Sequence, residues 1–224
     1  MKHLAIIPAR EGSTGLPHKN RMFFDITADF IDTLLWFDEV IVSTDDPVVK
    51  EKAHARRYRV HNRPKPLAGP AVPIKAVCED LIDSLKLGLE EILWVFYLPN
   101  LYHDRIHFEE ARTRIEKDQK GSLCSFIKAP AHPFYCWRFN EADQTLEQYI
   151  PNDVFRRQDL PPAWIPNHYV CCFKGGEISK LNEELINSGT IPFFLDDWTA
   201  ANVTDVDTPE DLERWKRDAA KGEP

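Results

Sequence analysis

Several features are missing from this chain of 224 residues, and each absence excludes a class of protein. No apolar run approaches the ~20 residues of a membrane span, and the first apolar stretch is too short for a signal peptide. No basic stripe is present, because 28 lysines and arginines stand against 36 acidic residues, a net charge of −8. No internal repeat or low-complexity linker divides residues 1–224, so a single domain is the simplest interpretation. We therefore expect neither a membrane nor a nucleic-acid partner.

Cysteine pairs with the spacing of metal or redox motifs are also missing. The chain has five cysteines, an odd number, and none forms a C-x-x-C pair. Cys171 and Cys172 stand side by side in an apolar run, which is typical of buried thiols. This usage fits a reducing compartment, so we expect a cytoplasmic protein.

What the sequence does have is a regular alternation of predicted strands and helices. Short apolar runs predict buried strands at residues 4–7, 38–46, 92–98 and 169–173. Apolar residues at helical spacing predict helices at residues 47–57, 71–87 and 106–117. Strands that alternate with helices favour an α/β fold with a mainly parallel sheet covered on both faces.

One stretch, approximately residues 122–150, breaks this alternation. Residues 122–128 and 134–139 have the composition of strands, and residues 140–145 resemble a turn between two strands. We expect a small inserted β-hairpin here, and a place at which two subunits meet in a homodimer. A short strand at residues 203–207 and a final helix that begins at Pro209 complete the predicted elements.

The first polar motif follows the strand at residues 4–7 and contains glycines and two cations. It reads I-I-P-A-R-E-G-S-T-G-L-P-H-K-N over residues 6–20. Glycines let backbone N–H groups approach an anion, and Arg10 and Lys19 can neutralise phosphate oxygens. The loop is neither a Walker A loop, which needs contiguous Gly-Lys-Ser/Thr, nor a G-x-G-x-x-G loop. An arbitrary glycine loop is more often a plain turn.

Two carboxylate motifs end other predicted strands, at the edge where open α/β sheets bind ligands. Asp45 and Asp46 either face such a ligand or cap the helix that follows them. Asp205 and Asp207 stand two residues apart on a strand, so both carboxylates face the same way and can grip one Mg²⁺ ion. The alternative is that Asp207 or Thr208 caps the final helix.

The order of these motifs resembles that of one enzyme family. The N-terminal string is similar to I-P-A-R-x-G-S-K-x-x-P-x-K-N of the CMP-N-acetylneuraminic acid (CMP-sialic acid) synthetases, or acylneuraminate cytidylyltransferases. Family strings V-S-T-D-D, R-P-x-x-L-A, R-Q-x-L-P-x-x-x-x-x-N and D-x-D-T-x-x-D-L have counterparts at residues 42–46, 63–68, 157–167 and 205–212. The resemblance implies a Rossmann-like nucleotide-diphospho-sugar transferase fold with a dimerisation hairpin. It also implies transfer of CMP from CTP to the anomeric hydroxyl of an acidic sugar, with release of pyrophosphate.

The resemblance also assigns roles to individual residues. CTP would be bound by Pro8, Ala9, Arg10, Gly12, Ser13, Lys19, Asn20 and Arg63. Catalytic roles would belong to Arg10, Lys19 and Asp207, and the Mg²⁺ cofactor would be held by Asp205 and Asp207. The acidic sugar would be bound by Arg157, Gln158 and Asn167. A guanidinium suits this partner because it offers a carboxylate two parallel hydrogen bonds.

Several positions depart from the family pattern. Thr14 replaces a lysine, and Gly69 and Pro70 replace an aspartate and the hydroxyl residue that follows it. Tyr97 replaces a glutamine near the sugar, and His168 replaces a glycine. The nucleotide half is therefore better kept than the sugar half, which suggests an acceptor other than ordinary sialic acid. The alternatives are another acid, such as KDO, or a degenerate homologue that binds a nucleotide without catalysis.

Overall fold

In this computed structural model the described residues are 1–13, 15–118, 120–203 and 205–220, the last three by their backbone alone. The strands, in chain order, are β1 His3–Pro8, β2 Glu39–Thr44, β3 Arg59–Asn62, β4 Ile92–Val95, β5 Ser122–Lys128, β6 Trp137–Asn140, β7 Thr145–Gln148, β8 Trp164–Lys174 and β9 Ile191–Phe194. The helices are α1 Lys19–Thr33, α2 Pro47–Ala55, α3 Ile74–Leu85, α4 Arg105–Lys117, α5 Asp197–Asn202 and α6 Pro209–Ala220.

A seven-stranded sheet has the order β3-β2-β1-β4-β8-β5-β9. Each neighbouring pair is parallel except β4 with β8 and β5 with β8, which are antiparallel. The mainly parallel α/β sheet predicted from the sequence is therefore confirmed, with β8 as its exception. An antiparallel neighbour needs no crossover helix, and the chain reaches β8 from β5 through a hairpin and a loop.

Helices cover both faces of this sheet, as the strand composition predicts. In β4, Trp94 packs into the core on one face, and Leu93 and Val95 pack into the core on the other. The adjacent Cys171 and Cys172 divide between the two cores in the same way, and all five cysteines are free thiols. The predicted burial of this pair is confirmed.

Helix α1 was not predicted from the sequence, although its buried residues have helical spacing. Ala28 and Ile31 follow Phe24 by four and seven residues, so the three share one face, and each is at most 1% exposed. This helix begins within the N-terminal polar motif, so it carries Lys19 and Asn20 in its first turn. No helix in the described part of the chain combines the length and the apolar character that a membrane crossing requires.

The hairpin is smaller than the insert predicted at residues 122–150. Ser122–Lys128 belongs to the main sheet, between β8 and β9, because its apolar side chains are covered on both faces. Pro133–Tyr135 form a short 3₁₀ helix instead of a strand, since proline cannot donate to a strand ladder. The two-stranded sheet is thus confined to β6 and β7. The division of the chain into one domain stays a prediction.

Candidate functional site

A cavity of about 470 Å³ opens where β1, β3 and β4 end. Its wall includes eight of the predicted site residues, namely Pro8, Arg10, Lys19, Asn20, Arg63, Asn167, Asp205 and Asp207. The wall does not include Ala9, Gly12, Ser13, Arg157 or Gln158. We call the lining residues from Pro8 to Val77 the N-terminal wall, and those from Asn167 to Asp207 the C-terminal wall.

Hydrogen bonds to the backbone groups of the loop after β1 anchor this loop to its neighbours. Ala9 is fully buried, and its N–H donates to the carbonyl oxygen of Ser43 at 2.9 Å. The side-chain amide of Asn20 donates to the carbonyl oxygen of Arg10 at 2.8 Å. The N–H of Glu11 donates to Asp45 at 2.8 Å. Ala9 and Asn20 therefore fix the loop from which the Arg10 side chain reaches the cavity.

Glycine is required where this loop meets the C-terminal carboxylates. A Cβ atom added at Gly15 would collide with the backbone carbonyl oxygen of Asp207. A Cβ atom at Gly12 would lie 3.3 Å from Nη1 of Arg10, so glycine at this position leaves room for the arginine side chain. Thr14, whose departure from the family pattern removes a cation, lies outside the described residues. Gly15 is a functional position that the sequence reasoning missed.

Arg10 and Lys19, two of the three cations in the N-terminal wall, differ in whether a carboxylate pairs with them. The Lys19 ammonium forms an ion pair with the Asp207 carboxylate, and both side chains line the cavity. The Arg10 guanidinium has no hydrogen-bond or ion-pair partner among the residues that the structure describes. Its charge is available to an anion in the cavity.

The third cation, Arg63, is buried without a carboxylate partner among the described residues. It is 7% exposed, and burial lowers its pKa to about 10. Its Nε donates to Oγ of Ser43 at 3.2 Å, and its Nη2 donates to the carbonyl oxygen of Ser43 at 3.0 Å. A guanidinium that stays charged at neutral pH in so little water gains from an anionic ligand.

The carboxylate pair Asp205 and Asp207 lies on either side of the buried Val206. The N–H of Val206 donates to the carbonyl oxygen of Pro99 at 3.0 Å, which holds this segment beside the end of β4. Removal from water within the cavity, together with the Asp207 charge, raises the pKa of Asp205. A carboxylate whose ionisation a neighbouring negative charge disfavours is a suitable place for a cation.

Helix capping, the alternative role for these motifs, is filled by Thr208 at α6 and by Asp46 at α2. At α6, Thr208 Oγ accepts from the N–H of Asp211 at 3.1 Å, and the Asp211 carboxylate accepts from the N–H of Thr208 at 3.0 Å. At α2, Asp46 accepts from the N–H of Val48 at 2.9 Å. Asp46 is therefore a cap outside the cavity wall, whereas Asp207 is left to face the cavity.

The chemistry of the carboxylate pair fits Mg²⁺. No group of three or more His, Cys, Asp or Glu side chains arranged for a metal occurs within the described ranges. Mg²⁺ is commonly held by one or two carboxylates together with substrate phosphates and water, which is the mode that Asp205 and Asp207 can supply.

The C-terminal wall carries polar groups that sequence reasoning did not assign. His168 takes a left-handed backbone (φ 56°), a conformation that favours the glycine expected there by resemblance. Its Nε2 bonds to the carbonyl oxygen of Glu184 at 2.8 Å, and its ring packs edge-on against Tyr97 at 5.6 Å. Glu183 and Glu184 also line the cavity, but nothing in their loop sequence marks them.

The Asn167 side chain is oriented by a hydrogen bond from Ser125 on β5. Ser125 Oγ donates to Asn167 Oδ1 at 2.6 Å, because the same hydroxyl accepts from the N–H of Val170. Asn167 Nδ2 and Asn100 Oδ1 are buried and have no hydrogen-bond partner in the described part of the chain. A buried polar group without a partner costs about 1–3 kcal/mol, and both asparagines line the cavity.

Arg157 and Gln158 lie apart from this cavity. They form part of a short 3₁₀ helix, Arg157–Asp159, and both are exposed. Their assignment to the sugar acid stays a prediction, and it requires either a movement of this loop or a second subunit.

Comparison with known proteins agrees with this geometry. A sequence model of the family described as cytidylyltransferase matches residues 4–70, which contain most of the N-terminal wall. An N-acylneuraminate cytidylyltransferase of Streptococcus agalactiae serotype V is 27% identical over 175 residues, which are 75% of this chain and 42% of that protein. The chain therefore spans about two fifths of the length of this relative. These similarities confirm the family resemblance drawn from the motifs.

Solved structures support the fold. A CMP:2-keto-3-deoxy-manno-octonic acid synthetase in complex with CTP has a TM-score of 0.66 at 17% identity, covering 99% of this chain and 100% of that one. The 2-C-methyl-D-erythritol 4-phosphate cytidylyltransferase of Francisella tularensis has a TM-score of 0.59 at 12% identity, covering 96% and 99%. At these identities the likeness shows the shared Rossmann-like fold.

Proposed function

Because the chain is related to the cytidylyltransferases, we propose that it transfers CMP from CTP to a hydroxyl group of an acceptor and releases pyrophosphate. One observation carries this proposal: Arg10, Lys19 and Arg63 line the same cavity as the Asp205–Asp207 pair. A nucleoside triphosphate needs cations along its phosphates and a metal-binding carboxylate beside them.

The reaction is an in-line attack of the acceptor oxygen on the α-phosphorus of CTP. A new P–O bond forms as the bond to the bridging oxygen breaks, pyrophosphate leaves with that electron pair, and the hydroxyl proton passes to water. Arg10 and Lys19 stabilise the charge that develops on the leaving group. No side chain of the cavity stands out as a general base, and positioning with charge stabilisation carries most of such a transfer.

We include Mg²⁺ in the proposal as the cofactor, with Asp205 and Asp207 as the residues that would hold it. Bound there, the ion would supply positive charge to the phosphates and lower the pKa of the attacking hydroxyl. Lys19, which is paired with Asp207 before CTP arrives, is then free to turn its ammonium toward a phosphate.

For the acceptor we propose an acidic sugar, sialic acid or a related nonulosonic acid, attacked through its anomeric hydroxyl. The name of the Streptococcus relative supports an acylneuraminate, and that of the first structural neighbour supports KDO. The replacements at Tyr97 and His168, both in the wall, keep a different acid open as the alternative. A degenerate homologue that binds a nucleotide without catalysis is the second alternative.

The test is release of pyrophosphate from CTP and Mg²⁺ in the presence of a panel of acidic sugars, beside an Asp207→Ala control. Release with one sugar, lost in the control, would establish the activity and name the acceptor. Binding of CTP by calorimetry without release for any sugar would favour the non-catalytic alternative. If calorimetry detects no binding of CTP, the proposed function is wrong.

We also propose a homodimer formed through the β6–β7 hairpin, in a cytoplasmic protein. The hairpin and the loop after it expose large apolar side chains, among them Trp137 at 53%, Tyr149 at 67% and Phe155 at 85%. Large exposed apolar side chains gathered in one segment favour an interaction surface, and a second copy would cover them. Sedimentation of the wild type and of Trp137→Glu tests this, since a dimer is expected to become a monomer in the variant.

A further inference from the structure

Arg63 is bound to one end of a chain of buried hydrogen bonds that runs to the protein surface. Ser43 on β2 and His61 on β3 are register partners, and Ser43 Oγ lies 2.9 Å from Nδ1 of His61. Nε2 of His61 lies 2.9 Å from the Asp80 carboxylate on α3. We call Asp80, His61 and Ser43 the Asp80 relay. The motifs of the sequence did not point to it.

The direction of each hydrogen bond in the relay follows from its two ends and from a neutral His61 ring. The Asp80 carboxylate accepts, so Nε2 of His61 carries the hydrogen and donates to it, and Nδ1 is left as an acceptor. Ser43 Oγ therefore donates to Nδ1 of His61 and accepts from the Nε–H of Arg63, which can only donate. The neutral ring fits its surroundings, because burial lowers the pKa of His61 although Asp80 opposes this.

The relay constrains a guanidinium that would otherwise have few contacts. Ser43 binds both Nε and Nη2 of Arg63, through its hydroxyl and its carbonyl oxygen. Ser43 is fully buried and His61 is 3% exposed, so these groups do not exchange partners with bulk water. Nη1 of Arg63 has no hydrogen-bond partner among the described residues, and the side chain lines the cavity.

We propose that the Asp80 relay holds the Arg63 guanidinium in the orientation that binds the nucleotide, so that Asp80 and His61 are positioning residues for CTP. This rests on the proposed function for the identity of the ligand. A fixed donor binds more tightly than a mobile one because less side-chain entropy is lost on binding. The relay therefore contributes to affinity through Arg63 and through no contact of its own.

A matched control exists at the opposite end of β1. His3 is 2% exposed, and its Nε2 lies 3.0 Å from the Glu116 carboxylate, as in the relay. His3 is the first residue of β1, whereas the cavity opens at the last residue of that strand, Pro8. His3→Phe and His61→Phe therefore remove the same chemistry from equally buried sites, only one of which is bonded toward Arg63.

The first measurement is solvent exchange of the Arg63 Nε–H by NMR, which requires no ligand. We expect at least tenfold faster exchange in His61→Phe and in Asp80→Ala, and no change in His3→Phe or Asp80→Asn, whose amide oxygen still accepts. Asp80 is 33% exposed, so its variants keep the core if His61→Phe does not fold. Unchanged exchange in Asp80→Ala would overturn the proposal.

The second measurement is calorimetric CTP binding in a double-mutant cycle with Arg63→Ala. His61→Phe is expected to weaken binding about tenfold in the wild-type background, and less than twofold when Arg63 is already absent. An equal loss in both backgrounds, or an equal loss in His3→Phe, would show that His61 acts through the fold alone. If the wild type does not bind CTP, the proposed function fails, whereas the exchange measurement still decides whether the relay holds Arg63.

Discussion

The two walls of the cavity differ in charge and in how firmly their groups are held. The N-terminal wall supplies the cations Arg10, Lys19 and Arg63, whereas the C-terminal wall supplies four carboxylates, at Glu183, Glu184, Asp205 and Asp207. The first wall is built on strand ends and the first turn of a helix, with buried anchors such as Ser43 and Asn20. Glu183 and Glu184 in the second wall lie on an exposed loop.

This difference separates two tasks. Cations presented by strand ends and by the first turn of α1 suit the triphosphate, which is the invariant part of a cytidylyl transfer. Groups on loops are more easily replaced without harm to the core, and acceptor specificity is expected to reside there. The departures from the family pattern at Gly69, Pro70, Tyr97 and His168 need not have the same effect, since Gly69 lies in the N-terminal wall and His168 in the C-terminal wall.

The largest expected effect comes from the place where the walls meet. Asp207→Asn keeps the shape of the side chain but removes the charge that pairs with Lys19 and would hold Mg²⁺. We expect pyrophosphate release to fall by roughly hundredfold or more, as when a group that stabilises transition-state charge is lost. Asp197→Asn, at an exposed carboxylate paired with Lys128, is the control and should release pyrophosphate as the wild type does. Equal rates in the two variants would contradict the assignment.

The next effect comes from a cation of the N-terminal wall. Lys19→Met is expected to weaken CTP binding by roughly tenfold to hundredfold, because one charge-assisted contact to phosphate is worth roughly 1.5–3 kcal/mol. Lys128→Met, which removes a cation from the surface outside the cavity, should leave the affinity within twofold. Calorimetry with CTP measures both variants. Similar losses in the two would mean that net charge, and not the cavity, governs binding.

The C-terminal wall is tested by His168→Gly. Glycine accepts the left-handed backbone of this position without strain but removes the contacts with Tyr97 and Glu184. We expect KM for the acceptor to rise about threefold to tenfold, whereas the affinity for CTP stays within twofold. Steady-state kinetics with each substrate varied in turn separates the two. If only the affinity for CTP changed, the assignment of acceptor binding to the C-terminal wall would be wrong.

The smallest effect concerns the electrostatic cost of the carboxylate pair. Since the pKa of Asp205 is raised in the folded protein, its charged form destabilises the fold above that pKa. This destabilisation disappears as the pH falls to the unfolded value of about 3.9. The Asp205 side chain is exposed, so solvent screens part of this effect. Asp205→Asn is therefore expected to raise Tm by only about 1 °C at pH 7, with a smaller gain at pH 4. Thermal unfolding followed by circular dichroism at both pH values measures this. A larger gain in Tm at pH 4 than at pH 7 would contradict the raised pKa of Asp205.

The sequence by itself determined the cations of the N-terminal wall and the mainly parallel sheet beside them. Apolar runs that end in polar residues indicated parallel strands with ligand groups at their carboxyl ends. Arg10, Lys19 and Arg63 followed from that pattern and from the family strings, and all three line the cavity. The pairing of Asp205 with Asp207 was predicted for a strand at residues 203–207, but the described part of this segment forms only an isolated bridge between Asp205 and Asn100. The hydrogen bond from the N–H of Val206 to Pro99, and not strand periodicity, holds the two carboxylates at the cavity.

Tertiary structure alone decided the rest, because the remaining contacts join segments that are distant along the chain. The Asp80 relay joins β2, β3 and α3, and no local pattern marks Ser43 or His61 as partners of Arg63. Gly15 is needed only because the backbone of Asp207 passes beside it. Arg157 matches a family string, yet its loop lies outside the cavity, since a motif fixes residue types and not the path of an exposed loop.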